Sequence, residues 1–178
     1  MKETFQVIEQ MKESGVIADY AIAGAVGAIF YVEPFQTGDI DFLVNLPIKD
    51  NLLVSLEPIY AWLRYRGYTE FDDGGHIHIE GWAVQFLPVT DPLSTEALAQ
   101  AQYLPFDETL SVRVLRPEYL AAEALKVSRL KDVQRVSLLL EAEDFDFSRF
   151  SDLIERFGLE KQWRKIQTFL EPYSGRPL

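Results

Sequence analysis

Apolar residues Phe5, Ile8 and Met11 recur at helical spacing between Glu3 and Ser14, and Gly15 stands where a C-terminal glycine cap belongs. Asp19 to Ala23 reads as a short apolar strand running into a turn at Gly24. A short helix from about Ala25 to Tyr31 follows and is broken by Pro34. The run Asp39 to Leu46 reads as a buried strand ended by Pro47. Leu52, Leu56, Ile59, Tyr60 and Leu63 then mark an amphipathic helix stopped by Gly67. This β-α-β-α order places the first two strands in one sheet.

Three extended runs follow: Tyr68 to Phe71, His76 to Glu80, and Trp82 to Val89. Asp72-Asp73-Gly74-Gly75 and Glu80-Gly81 read as the hairpin turns between them. A helix is predicted after Pro92 through Ala101, and Asp107-Glu108 turns the chain into an alternating strand from Leu110 to Leu115. The remainder is helical. Pro117 suits a first helical position, with Tyr119, Leu120, Ala124, Leu125 and Val127 as its apolar stripe. Further helices are read over Asp132 to Ala142, Phe147 to Phe157 (ending at Gly158) and Glu160 to Leu170, before Pro172. Phe145, Phe147, Phe150, Phe157 and Trp163 are most simply core between these helices. The fold class is therefore α/β (α+β): a mixed sheet with flanking helices, residues 1–115, and a helical C-terminal region, residues 116–178, packed on it.

Composition narrows the function classes. The apolar fraction of 48% and the aromatic fraction of 13% are ample for a packed core. There is no cysteine, which excludes disulfides, thiolate metal sites and a cysteine nucleophile. No apolar run approaches the roughly 18–20 residues of a membrane span, and the Lys/Glu-containing N-terminus has no signal-peptide pattern. A cytoplasmic protein without a membrane partner is expected. The net charge of −11 argues against broad, non-specific DNA binding. Yet between Val112 and Arg135 six basic residues (Arg113, Arg116, Lys126, Arg129, Lys131, Arg135) face three acidic ones. An anionic small molecule or a short stretch of RNA could be received there.

The chemistry concentrates at Gly24-Ala25 and Asp39-Ile40-Asp41. Side chains at i and i+2 of a strand share a face, so Asp39 and Asp41 converge while Ile40 and Phe42 face the other side. Two close carboxylates resist joint ionisation unless a cation neutralises them. Hard divalent cations, Mg²⁺ above all, take such oxygens together with substrate phosphates. The pattern points to phosphoryl or nucleotidyl transfer.

Ala23-Gly24-Ala25 through Thr37-Gly38-Asp39-Ile40-Asp41-Phe42-Leu43-Val44 resembles the signature of the polymerase-β-like nucleotidyltransferase superfamily. Ala25 stands where the signature has glycine or serine. Leu115-Arg116-Pro117-Glu118-Tyr119-Leu120, Ala124-Leu125-Lys126 and Arg129-Leu130-Lys131-Asp132 resemble the downstream motif of abortive-infection-type (AbiEii-like) members. Together these cover most of residues 16–142. The resemblance implies a nucleotidyltransferase fold and an Mg²⁺-dependent enzyme using an NTP as substrate. It also implies a hydroxyl acceptor on RNA, protein or a small molecule, and a place in a toxin–antitoxin system with a cognate protein partner.

The implied roles are specific. Asp39 and Asp41 hold one or two Mg²⁺ ions, and Gly24 and Ala25, with Thr37, receive the phosphates. Lys126 neutralises the triphosphate, assisted by Arg129 or Lys131. Asp132 orients or deprotonates the attacking hydroxyl, or else forms a salt bridge with Lys131 or Arg135. The third carboxylate usual in such enzymes aligns with Gln85, whose amide oxygen can coordinate a metal without charge. Glu80 could substitute if it faces inward. A catalytically degenerate nucleotide- or protein-binding module is the alternative. Plainer readings stand beside these: solvated carboxylates at a strand end, a simple tight turn, and exposed basic residues on a helix. His76 and His78 share a strand face and could bind a transition metal, but with no third ligand in sequence they read as surface residues.

Overall fold

The computed structural model describes residues 1–47 and 54–169, so Leu52, Leu170 and Pro172 lie outside the described residues. Its helices are α1 (Lys2–Glu13), α2 (Gly24–Ile29), α3 (Glu57–Tyr65), α4 (Pro92–Ala99), α5 (Pro117–Val127), α6 (Leu130–Leu140), α7 (Phe147–Arg156) and α8 (Glu160–Gln167). Its strands are β1 (Asp19–Ile22), β2 (Asp39–Asn45), β3 (Ile77–Ile79), β4 (Trp82–Pro88), β5 (Gln102–Pro105) and β6 (Ser111–Val114). They form one sheet in the order β3-β4-β2-β1-β6-β5. β1 pairs antiparallel with β2 and parallel with β6; β2 pairs parallel with β4. The mixed sheet and its flanking helices agree with the pattern read from the sequence.

Strand alternation decides which side of the sheet carries chemistry. Ile40, Phe42 and Val44 of β2 are buried on one face with Phe5, Ile8 and Met11 of α1 and Ile59 and Leu63 of α3. Phe42 is fully buried among the rings of Phe5, Tyr20 and Phe86, at centroid distances of 6.1, 5.9 and 6.2 Å. A one-residue slip of β2 would move this set to the other face and bury both aspartates instead, so the apolar face fixes the register. Phe42→Ala, which would loosen it, should cost about 3–5 kcal/mol.

The opposite face packs against the helices that follow the sheet. Ala21, Ala23 and Leu43 join Leu93 and Ala97 of α4, Leu120 and Leu125 of α5, and Val136 and Leu139 of α6. Phe145 just before α7, Phe150 of α7 and Trp163 of α8 continue this cluster through T-shaped contacts. Gly27 lets α2 sit close to α5, since a Cβ there would come within 3.0 Å of Leu120 Cδ2.

Several boundaries differ from the sequence pattern. Gln102–Pro105 is a strand, pairing antiparallel with β6, where the pattern gave only a connection. Tyr68 to Phe71 is not a strand, and only Phe71 bridges to Ile77. The Asp72 carboxylate accepts the N–H groups of Gly74 and His76, which closes this loop before a ladder can extend. α6 starts at Leu130 rather than Asp132, because Asp132 is its third residue and caps it: the carboxylate accepts the Arg129 N–H at 3.1 Å.

Candidate active site

Asp39 and Asp41 lie on the helical side of β2, each half-buried, with Ile40 between them fully buried on the other side. Gly24 opens α2 with φ +58°, a left-handed value that favours glycine. A Cβ at this position would stand 2.7 Å from Asp41 Cγ. The Ala23 N–H donates to the Asp41 carbonyl at 2.8 Å and fixes the turn against the strand. Burial pushes the Asp41 pKa up, and the Asp39 charge adds to it, while Arg135, Lys131 and His76 oppose the rise. The Thr37 hydroxyl lies 3.3 Å from Asp39 Oδ1 and anchors the first carboxylate.

The basic residues of α5 and α6 are mostly engaged. Lys126 Nζ lies 2.9 Å from Asp91 and 3.0 Å from Glu123. Burial lowers its pKa, but these two carboxylates outweigh that effect and hold it above the ordinary value. Asp132 is 1% exposed and takes the Arg129 Nε at 2.8 Å, with Arg135 Nη1 at 3.5 Å. Burial acts to raise the Asp132 pKa, yet the Arg129 hydrogen bonds and the Arg135 charge bring it below the usual carboxylate range. Arg135 keeps one buried donor, Nε, without a partner. No ion pair among the described residues engages Lys131, which is exposed.

Two cavities flank the acidic pair. One, of about 580 Å³, is lined by Phe35, Thr37, Asp39, Lys131, Arg135 and Leu138, among others. The other, of about 430 Å³, includes Gly24, Asp41, Gln85, Lys126, Asp132 and Arg135. Arg135 lines both. The sequence pattern counted it within the local basic excess that could receive an anion, without naming it among the individual phosphate ligands.

Gln85 lies directly beside Asp41 in the β2–β4 ladder and is exposed. Glu80, at the β3–β4 turn with φ 51°, is exposed and accepts the Tyr68 hydroxyl, so it does not stand in for a third carboxylate. Among the described residues no three histidine, aspartate or glutamate side chains form a ready metal cage. The residues present nonetheless fit Mg²⁺ in its usual mode of one or two carboxylates plus substrate phosphates. Asp41 is half-buried, its charge disfavoured by burial and by Asp39, and the absent Gly24 side chain leaves its carboxylate in place against the turn.

The expectation that both histidines are surface residues fails for His76, whose side chain is 21% exposed. Its Nδ1 lies 2.9 Å from Asp72 Oδ2, and its Nε2 lies 3.9 Å from Asp39 Oδ2. His76 precedes β3, so this contact crosses β4 to reach β2. No sequence spacing announces such a crossing.

No family model matches the chain, and no curated protein matches it. The fold, however, is similar to that of an antigenic nucleotidyltransferase-like protein from Paracoccidioides brasiliensis, at TM-score 0.60 and 15% identity, covering 96% of this chain and 88% of that one. The antibiotic-resistance factor ANT(2'')-Ia aligns at TM-score 0.48 and 16% identity, over 95% of this chain and 93% of that one. The chain thus has a nucleotidyltransferase-like fold. No described helix is long and apolar enough to cross a membrane.

Proposed function

We propose that this chain is a divalent-metal-dependent nucleotidyltransferase that moves a nucleoside monophosphate from an NTP to a hydroxyl on RNA, protein or a small molecule. The observation that carries this reading is the Asp39–Asp41 pair set against the bare Gly24 turn and facing the cationic start of α6. Asp39 and Asp41 would hold Mg²⁺, which when bound neutralises triphosphate charge and polarises the phosphorus under attack.

The chain's own groups divide the remaining work. Gly24 and Ala25 let phosphate oxygens approach backbone N–H groups without a side chain in the way. Arg135 and Lys131, which line the cavity beside Asp39, would bring their positive charge to the same anion. Lys126 is held by Asp91 and Glu123, so it serves the triphosphate only by leaving one of them. Asp132 enters as the residue that positions Arg129 and Arg135, since its carboxylate is already committed to both. Thr37 steadies Asp39.

Incorporation of radiolabelled NTP into total cell RNA and protein tests the reading, with Asp41→Ala as control. Transfer by the wild type that vanishes in the variant is the expected result. A second reading, a nucleotide- or protein-binding module without catalysis, is favoured by the uncharged Gln85 beside Asp41 and by the engagement of Glu80 with Tyr68. Retained nucleotide binding with no transfer from any NTP would select it. A toxin role, with a cognate antitoxin, predicts growth arrest on expression that disappears in Asp39→Ala.

A further inference from the structure

We infer that the larger of the two cavities, beside Asp39, seats the base of the nucleotide, that this base is adenine, and that Phe35 stacks on it while the Gln134 amide reads its edge. This rests on the acidic pair receiving a nucleotide and names which nucleotide. The cavity, of about 580 Å³, has two walls. One is α6, whose Lys131, Gln134, Arg135 and Leu138 line it at the spacing of a single helical stripe. The other is the segment from Phe35 to Asp39 that leads into β2. Lys131 and Arg135 lie near enough to Asp41 to favour its charged form, so the first turns of α6 are the phosphate end. Long helical side chains lean toward the N-terminus, and Arg135 does so, its Nη1 lying 3.5 Å from Asp132. Leu138 stands about 10 Å farther along the axis than Lys131, and Phe35 precedes Asp39 along the other wall. Both walls therefore turn from charged to uncharged with distance from the carboxylates. A nucleotide has the same polarity, phosphates at one end and a flat heterocycle at the other.

The uncharged end has the parts a base needs. Phe35 is half-buried against the helical core, and no ring among the described residues lies on it. Leu138 is 38% exposed, whereas Leu139 and Leu140 beside it are buried. A base stacked on Phe35 would cover both apolar groups. Gln134 is exposed, and no hydrogen bond among the described residues engages its amide. A carboxamide presents a donor and an acceptor side by side, which matches the amino group and neighbouring ring nitrogen of adenine. Guanine is most often read by arginine or lysine, and the cytosine amino group by a carboxylate. Phe35, Gln36, Gln134, Ser137 and Leu138, which line this end, carry no charge. Stacking strength separates the remaining pair, since a purine offers the ring a larger face than uracil does.

The test titrates the full chain, with Mg²⁺ present, with ATP, GTP, CTP, UTP and inorganic tripolyphosphate by calorimetry. Wild type should bind ATP about tenfold more tightly than the other three NTPs. Phe35→Ala should weaken ATP by about tenfold and leave tripolyphosphate unchanged, and Phe35→Tyr, which keeps a ring, should restore ATP. Gln134→Ala should bring ATP down to the level of the other NTPs, again with tripolyphosphate unchanged. Gln134 is exposed, so its variant serves if Phe35→Ala does not fold, and the wild-type ranking needs no variant. Equal affinity for the four NTPs, preference for another base, or equal losses of ATP and tripolyphosphate in the variants would overturn the inference while leaving the nucleotide reading in place. Binding of neither nucleotide nor tripolyphosphate would remove both. ATP preference with base-dependent losses in a protein that transfers no nucleotide would uphold the inference and remove the transferase reading.

Discussion

Gly24 and Asp41 touch so closely that the glycine's missing side chain is what leaves the carboxylate its place: a Cβ would sit 2.7 Å from Asp41 Cγ. Gly24→Ala meets two penalties at once. An L side chain at φ +58° costs roughly 1–2 kcal/mol, and the collision displaces Asp41 from the acidic pair. The variant should melt several degrees lower than wild type, with a 1 kcal/mol loss worth about 2–4 °C at this size. It should also lose nucleotide transfer, which thermal denaturation and the labelled-NTP assay read separately.

Asp41→Asn should do the opposite to stability. Burial and the neighbouring Asp39 both disfavour the Asp41 charge, so removing it relieves the ligand-free protein. A melting temperature equal to or above wild type, together with lost transfer, is expected. A large fall in melting temperature would mean that the Asp41 charge is satisfied by the protein itself.

Arg135 and Lys126 should separate in nucleotide affinity. Arg135 lines both cavities beside the acidic pair, whereas Lys126 is shared between Asp91 and Glu123. Arg135→Ala should therefore weaken NTP binding by about tenfold or more, a charge-assisted hydrogen bond being worth roughly 1.5–3 kcal/mol. Lys126→Ala should weaken it less. Arg135→Lys, which keeps the charge but loses the fork, checks that the effect is geometric.

Acid stability should depend on Glu96. Its carboxylate accepts both Arg156 Nη groups and the Tyr119 hydroxyl at 2.7 Å, linking α4, α5 and α7. The Arg156 guanidinium, then Tyr119, holds its pKa down at about 2 from an ordinary 4.5. A depressed acid contributes stability that is present above the unfolded value and lost as pH falls through the folded one. The loss should fall between pH 4.5 and about 2. Glu96→Gln should flatten the stability–pH curve in that window, as urea unfolding at stepped pH would show.

Much of the acidic side of the site was legible because it is local. Strand alternation alone puts Asp39 and Asp41 together and Ile40 and Phe42 opposite, and the helix break before Thr37 fixes where the strand begins. The rest depends on contacts between distant segments. His76 reaches Asp39 across β4, a neighbour relation set by strand order, which the sequence leaves open. Asp132 reads equally as base or as salt-bridge partner until α6 is seen to start two residues earlier, which makes it a cap. β5 was missed because its pattern of half-buried and exposed residues, with Pro105 at its end, lacks the apolar alternation of an interior strand.

The sheet order has a mechanical consequence. β2 is flanked on both sides by hydrogen-bonded neighbours, β1 and β4, whereas the cations come from α6, whose first turn rests on a cap and a few ion pairs. Amide protons of Ile40 to Val44 should be among the last to exchange with deuterium, and those near Leu130 among the first. The carboxylates would then form a stationary jaw, and any closing on a nucleotide would come from the helical side.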